Sequence, residues 1–413
     1  MTNFIYLLLL LNLLINSSYS SPSSLLNPSS NRHRVDFSSL STLKSFNVIK
    51  TFGAKNDGKT DATKAFLNAW NAACASMLPS QIYVPNGKYL LNPINFEGNC
   101  KSSILFRIDG TLLIANSAYY YSDYSWIVFH NVDGLHIKGG VLDAKGKNLW
   151  DCKASHQSCP NGAKSLSFDN SKNIIVDGLT STNSQMFHIT INACQNINMG
   201  GVIITADADS PNTDGIHIEK SSEITITDSQ IMTGDDCISI GPNNQNIWIE
   251  NVFCGPGHGI SIGSLGRESD ENIVVKNVTV KTVTFMGTNN GLRIKTFSTP
   301  VNGIVKDIYF SEATMVNVRN PIIIDQNYCP QGNCPNNKEG SDIQISNVVY
   351  KNIHGSSTSQ QIVTFDCSPK KPCYGLTLQD IKLSYQSNTT TCECQNCYLK
   401  VLSNLQLSHC FGN

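Results

Sequence analysis

Asp214-Gly215-Ile216-His217-Ile218, Asp236-Cys237-Ile238-Ser239-Ile240 and His258-Gly259-Ile260-Ser261-Ile262 repeat one five-residue pattern after 22 residues and again after 22. Asn290-Gly291-Leu292-Arg293-Ile294-Lys295 continues it after a longer interval. Isoleucines two apart, with a polar residue between them, describe a strand with one face buried. Between these strands runs a second series: Asn173-Ile174-Ile175-Val176, Asn196-Ile197-Asn198-Met199, Glu223-Ile224-Thr225-Ile226, Asn246-Ile247-Trp248-Ile249 and Asn272-Ile273-Val274-Val275 start 23, 27, 23 and 26 residues apart. Such a period is too short for a propeller blade and lacks the leucine signature of a horseshoe. It suits one turn of a parallel β-solenoid, each coil supplying at least two strands.

Stacking turns this spacing into a site. Ile216 and Ile218, Ile238 and Ile240, Ile260 and Ile262, and Leu292 and Ile294 are expected to point into the bore, with the residues between them outside. Rungs in register lie about 4.8 Å apart, so Asp214, Asp236, His258 and the Arg293/Lys295 strand are expected in one file on the outer wall. Parity resists this. Asp214, Asp236 and His258 share the phase of the inward isoleucines, and the neighbours Asp235 and Asp236 would face opposite sides of a regular strand. A backbone irregularity beside Gly215, Gly234 and Gly259 is therefore predicted. The turn asparagines Asn173, Asn196, Asn246 and Asn272 are read as left-handed turn residues rather than as a stacked amide ladder.

Length and composition agree with this architecture. At 413 residues the chain exceeds what one compact core serves well, so two domains or an elongated repeat remain. Thirty basic against 31 acidic residues argue against nucleic-acid or membrane-surface binding through bulk charge. The first twenty residues carry no charged side chain, and their apolar run from Phe4 to Ile15 is too short to span a bilayer. Residues 1–20 read as a secretory signal, with Ser18 and Ser20 at the cleavage site, and residues 21–45, rich in Ser, Asn and Pro, as a flexible leader. The body would be residues 46–413, soluble and extracellular, a monomer.

Ala62, Ala65, Phe66, Ala69, Trp70 and Ala73 then recur with helical period after Thr60-Asp61, predicting one amphipathic helix at the N-terminal end. Fifteen cysteines fit an oxidising compartment, and the odd number leaves at least one unpaired within the chain. Cys152 with Cys159, Cys329 with Cys334 and Cys367 with Cys373 read as loop staples. Cys394 and Cys397 beside Cys392 lack a second ligand pair at zinc spacing, so disulfides are the better reading there. Asn277-Val278-Thr279 and Asn388-Thr389-Thr390 are acceptor sequons for N-glycans.

Taken singly, an Asp in a glycine-flanked turn, a His between glycines and an Arg with a Lys on a strand are ordinary turn and surface chemistry. Three carboxylates, an imidazole and two cations on consecutive coils are not. Repulsion among Asp214, Asp235 and Asp236 is expected to raise at least one carboxyl pKa, making a proton donor. In this order, Asn212-Thr213-Asp214, Gly234-Asp235-Asp236, Gly257-His258-Gly259 and Arg293-Ile294-Lys295 resemble the four signature motifs of the polygalacturonases, the pectin-hydrolysing glycoside hydrolases. Residues 52–58 with the following helix extend the likeness, and Ser261-Ile262-Gly263-Ser264-Leu265-Gly266 is similar to the plant branch.

The resemblance implies an all-β, single-stranded right-handed parallel β-helix of the pectin-lyase-like kind, capped by the N-terminal helix. It also implies hydrolysis of the α-1,4 bonds of pectin or polygalacturonic acid with inversion, secretion to the cell wall, and no cofactor or metal. Asp235 would be the general acid, Asp214 and Asp236 would hold and activate water, and His258 would organise the network around the acid. Arg293 and Lys295, with Asn212 and Tyr328, would bind substrate. An acidic pH optimum is expected. A calcium-dependent eliminase and a non-catalytic polysaccharide-binding solenoid are the competing readings.

Overall fold

The computed structural model describes residues 43–115, 125–155, 158–267, 272–330, 332, 340–386, 389–402 and 410–411. The signal reading, the leader up to residue 42, Cys334 and Asn388 lie outside these. The first strand, Lys44–Asn47, begins two residues before the expected start of the body.

The repeat is built on left-handed corners. At one corner Asn173, Asn196, Glu223, Asn246, Asn277, Asp307 and Asn347, one from each of seven successive coils, all hold φ between 53° and 60°. At a second corner Asp228, Asn251, Thr282, Glu312, Asn352 and Asp380 do so between 52° and 55°. Asn and Asp tolerate this region because their short polar side chains bond locally. One left-handed residue turns a strand sharply without ending its pairing. Strands such as Ser222–Met232 therefore run round two walls of the coil, and a 17-stranded sheet covers those walls. A separate 11-stranded sheet closes the remaining wall, and every strand pairing with a described register is parallel. The result is the right-handed parallel β-helix that the resemblance implied.

The asparagines stack as well as turn, contrary to expectation. Asn196 donates to Asn173 Oδ1 at 2.7 Å, and Asn173 in turn to Asp133 Oδ1 at 2.6 Å. Asn277 donates to Asn246 Oδ1 at 2.7 Å. Register also replaces Asn272 in this column by Asn277, because residues inserted after Leu265 lengthen that coil and carry the corner five positions on. Spacing alone could not show which asparagine the insertion displaced.

The isoleucines of the motif are inside, as parity required: Ile216, Ile218, Ile238, Ile240, Ile260, Ile262, Leu292 and Ile294 have no exposed surface. Through successive rungs Phe96, Phe129, Phe168, Ile191, Ile218, Ile240, Ile262, Ile294, Ile324 and Phe365 form one file down the bore. Phe96, Phe129 and Phe168 stack with ring centroids 4.9 and 5.7 Å apart, close to the rung spacing.

The expected helix is Thr63–Cys74, and it buries Ala65, Phe66, Ala69, Trp70 and Ala73. Asp61 Oδ1 accepts the Thr63 N–H at 2.9 Å, and Trp70 packs on Phe96 and Phe129 at the first coils. A second helix, Lys147–Ala154, was not foreseen. It has two turns and buries only the adjacent Leu149 and Trp150, too little for a helical period to show. Disulfides join Cys74 to Cys100, Cys152 to Cys159, Cys237 to Cys254, Cys367 to Cys373, Cys392 to Cys410 and Cys394 to Cys397. Among the described residues the unpaired thiol is Cys194, which is buried.

Candidate active site

The carboxylates come together on the bend that carries the chain from the 17-stranded sheet into the 11-stranded one. Residues 233–237 form no strand; pairing resumes at Ile238. This is the predicted irregularity. Gly257 and Gly259 make it possible, holding φ of 132° and 86°. A Cβ at Gly257 would stand 2.5 Å from the Asp235 carbonyl, and one at Gly259 2.1 Å from that of Asn290. The Cys237–Cys254 disulfide ties the same bend to the end of the strand Asn244–Cys254 on the next coil.

The expected single file is two. Counting back from Ile216, Ile238, Ile260 and Leu292, the residues Asp214, Asp236, His258 and Asn290 share one level. Arg293 belongs to the next outward file, with His217, Ser239 and Ser261. The bend lets Asp236 lean over that second file. Its Oδ1 accepts from Arg293 Nη2 at 2.6 Å and Ser261 Oγ at 2.8 Å, and its Oδ2 from Lys295 Nζ at 2.8 Å. Arg293 Nε donates to Ser261 Oγ at 2.8 Å. All three charged groups are buried. Burial opposes ionisation of Asp236, but the two cations outweigh it and hold its pKa at about 2. Arg293 and Lys295 are thus engaged within the protein, although each keeps N–H groups beyond those bonds.

Asp214 is opposite in character. It is buried without a cation bound to it, and its Oδ2 accepts from Ser239 Oγ at 2.7 Å. Burial first, and then the charges of Asp235 and Asp236, push its pKa well above the ordinary carboxylate value. Asp235 is the most exposed of the three, its side chain 19% accessible. Its Oδ1 lies 2.8 Å from His258 Nδ1 and also accepts the Asp236 N–H at 2.8 Å. Tyr328 is half-buried with its ring 5.1 Å from Lys295 Nζ and 6.0 Å from Arg293 Cζ, so it borders the cations. Asn212 is exposed on a left-handed turn and stands outside this network.

Sequence reading passed over Ser239, Ser261 and His217. His217 Nδ1 lies 2.8 Å from Ser239 Oγ, and its ring packs against Phe187 at 4.9 Å. The signal was present: each fills the outward slot between two isoleucines of the repeat, the slot that Arg293 fills one coil further on.

Asp235, Asp236 and His258 offer ligand atoms within 4.8 Å of one another. Both Asp236 oxygens already bind cationic groups, so a metal ion here would meet Arg293 and Lys295 at contact distance. The donor set suits a proton relay better than a cation.

Residues 74–404 match the glycosyl hydrolases family 28, and residues 45–100 match the rhamnogalacturonase A/epimerase, pectate lyase-like group. The chain belongs to glycosyl hydrolases family 28. This family 28 enzyme is 54% identical to a polygalacturonase of Prunus persica over 358 residues, 84% of this chain and 89% of that one. It is 43% identical to an exopolygalacturonase of Platanus acerifolia, covering 84% and 93% of the two chains. Among solved structures, the exopolygalacturonase of Thermotoga maritima superposes with a TM-score of 0.74 at 20% identity, covering 87% of this chain and 90% of that one. The endo-xylogalacturonan hydrolase of Aspergillus tubingensis gives 0.73 at 24%, with 85% and 98% covered. At those identities the structures speak for the fold.

Proposed function

We propose that this family 28 hydrolase cleaves the α-1,4-galacturonosidic bonds of polygalacturonic acid with inversion of configuration, outside the cell, as a monomer. One observation carries the reading: three neighbouring carboxyls hold three different environments. Asp236 is kept ionised by Arg293 and Lys295, Asp214 is buried and inclined to hold a proton, and Asp235, the most exposed of the three, lies against His258. In the reactive form Asp235 carries a proton and donates it to the glycosidic oxygen. Asp214 and Asp236, then both ionised, hold and deprotonate the attacking water from the other face of the sugar. His258 orients the acid. The remaining N–H groups of Arg293 and Lys295, with Tyr328 beside them, receive a galacturonate carboxylate, for which a planar guanidinium fork is well shaped.

Secretion is supported by six described disulfides, the charge-free N-terminal run and the absence of any described helix long and apolar enough to cross a membrane. The domain division that accompanies it is a signal over 1–20, a leader ending near 45, and the β-helix thereafter.

A time course on a defined oligogalacturonide tests the reading. New reducing ends should appear with the anomeric configuration inverted and without the ultraviolet absorbance of unsaturated uronides, and a chelator should leave the rate unchanged. Unsaturated products that vanish with chelation would establish elimination instead. Activity should be greatest in acid and fall as pH rises, because a general acid works only while it carries its proton. A level profile from pH 4 to pH 9 would contradict that assignment.

A further inference from the structure

Beyond the catalytic wall, one exposed surface has no partner in the chemistry above. Trp248 and Tyr309 are 38% and 36% accessible, on a wall of the 17-stranded sheet. Register puts Thr279 directly between them, Trp248 one rung before and Tyr309 one rung after. The two aromatics therefore stand about 10 Å apart, two rung spacings. Thr279 is the third residue of Asn277-Val278-Thr279. Asn277 is the exposed left-handed corner residue at the edge of this same wall.

We propose that Asn277 is N-glycosylated and that the first sugars of its glycan lie across Trp248, Thr279 and Tyr309, using the aromatic pair as a stacking platform. Amphipathic rings suit sugar faces, apolar on their C–H side and hydrogen-bonding at their edge. Modification joins Asn277 Nδ2 to C1 of an oligosaccharide carried on a polyprenyl diphosphate. The C1–O bond to the diphosphate breaks, that group leaves with the electron pair, and one amide proton is released. One N–H remains on Nδ2. It is enough to keep the 2.7 Å bond to Asn246 Oδ1, and the other Nδ2 proton, the one replaced, has no partner among the described residues. The corner thus accepts the sugar without giving up its ladder contact, and that contact directs Nδ2 toward the rung of Trp248. A glycan here also covers an exposed aromatic strip that would otherwise invite association.

The inference rests on the secretory reading and is independent of the hydrolytic one. Trp70, Trp126 and Trp150 are at most 5% accessible, so acrylamide quenching of tryptophan fluorescence reports on Trp248. Protein secreted from plant cells should yield a glycosylated Asn277 peptide, and enzymatic removal of the glycan should raise the quenching constant. Trp248→Phe should abolish that rise. Thr279→Val, which destroys the sequon but keeps Asn277 and a β-branched side chain on the wall, should show the deglycosylated level of quenching with hydrolysis unchanged, and Thr279→Ser should restore protection. An unmodified Asn277 in protein whose disulfides have formed would overturn the proposal while leaving secretion standing. So would a glycan whose removal leaves quenching unaltered, or protection of Trp248 conferred only by added galacturonan.

Discussion

Asp235→Asn should lower kcat on polygalacturonate by about 10²–10⁴, the usual contribution of a positioned general acid, with KM nearly unchanged. The substitution is close to isosteric. An Asn oxygen still accepts the Asp236 N–H and faces His258 Nδ1, so the bend keeps both bonds now made to Asp235 Oδ1. Asp236 stays clamped by Arg293 and Lys295, so the two cations proposed to receive the substrate are untouched. Only a transferable proton is lost. Steady-state rates, with binding measured separately by titration of an oligogalacturonide, separate this from a failure to bind. A kcat within tenfold of the parent would move the acid role to another carboxyl, and a non-catalytic solenoid would show no hydrolysis before or after the change.

How far such a site can be read from sequence depends on what fixes each residue. The bore was legible because burial imposes alternation: every isoleucine of the motif sits where parity sent it. The gathering of Asp214, Asp235, Asp236, His258, Arg293 and Lys295 was legible for the same reason, since a period near 22 residues leaves only stacking. The finer pairing was not. Whether His258 meets Asp235 or Asp236, and whether Arg293 faces solvent or a carboxylate, depends on how residues 233–237 bend, and that bend is set by close backbone contacts at Gly257 and Gly259. The stacked amides escaped because a left-handed Asn looks alike in sequence with or without a neighbour to bond, and the coil after Leu265 hid its corner behind an insertion. Which carboxyl would hold a proton followed from depth and from which neighbour carried the cations, and neither is a property of spacing.

That difference between two buried aspartates should appear as stability changes of opposite sign. Asp236→Asn leaves Arg293 and Lys295 buried with their common counter-ion gone, and breaking a buried ion pair this way costs about 3–5 kcal/mol. Asp214→Asn removes a buried carboxyl that is disfavoured when ionised, while an Asn oxygen still accepts from Ser239, so the variant should be more stable than the parent at neutral pH. The pH dependences must then diverge. Asp236 has its folded pKa below the ordinary 3.8, so its contribution is present above that value and is lost as pH falls toward about 2, where the penalty of Asp236→Asn should shrink. Asp214 has its folded pKa above the ordinary 3.8, so it favours the native state while protonated, and this support disappears as pH rises through the folded value. The advantage of Asp214→Asn should therefore be small near pH 4 and grow toward neutrality. Calorimetric melting of both variants across that range checks the pair together, and both should be poor catalysts throughout. If Asp214→Asn is the less stable protein at pH 7, or Asp236→Asn melts with the parent there, the two carboxyls are not held apart by their surroundings and the division of labour drawn from them fails.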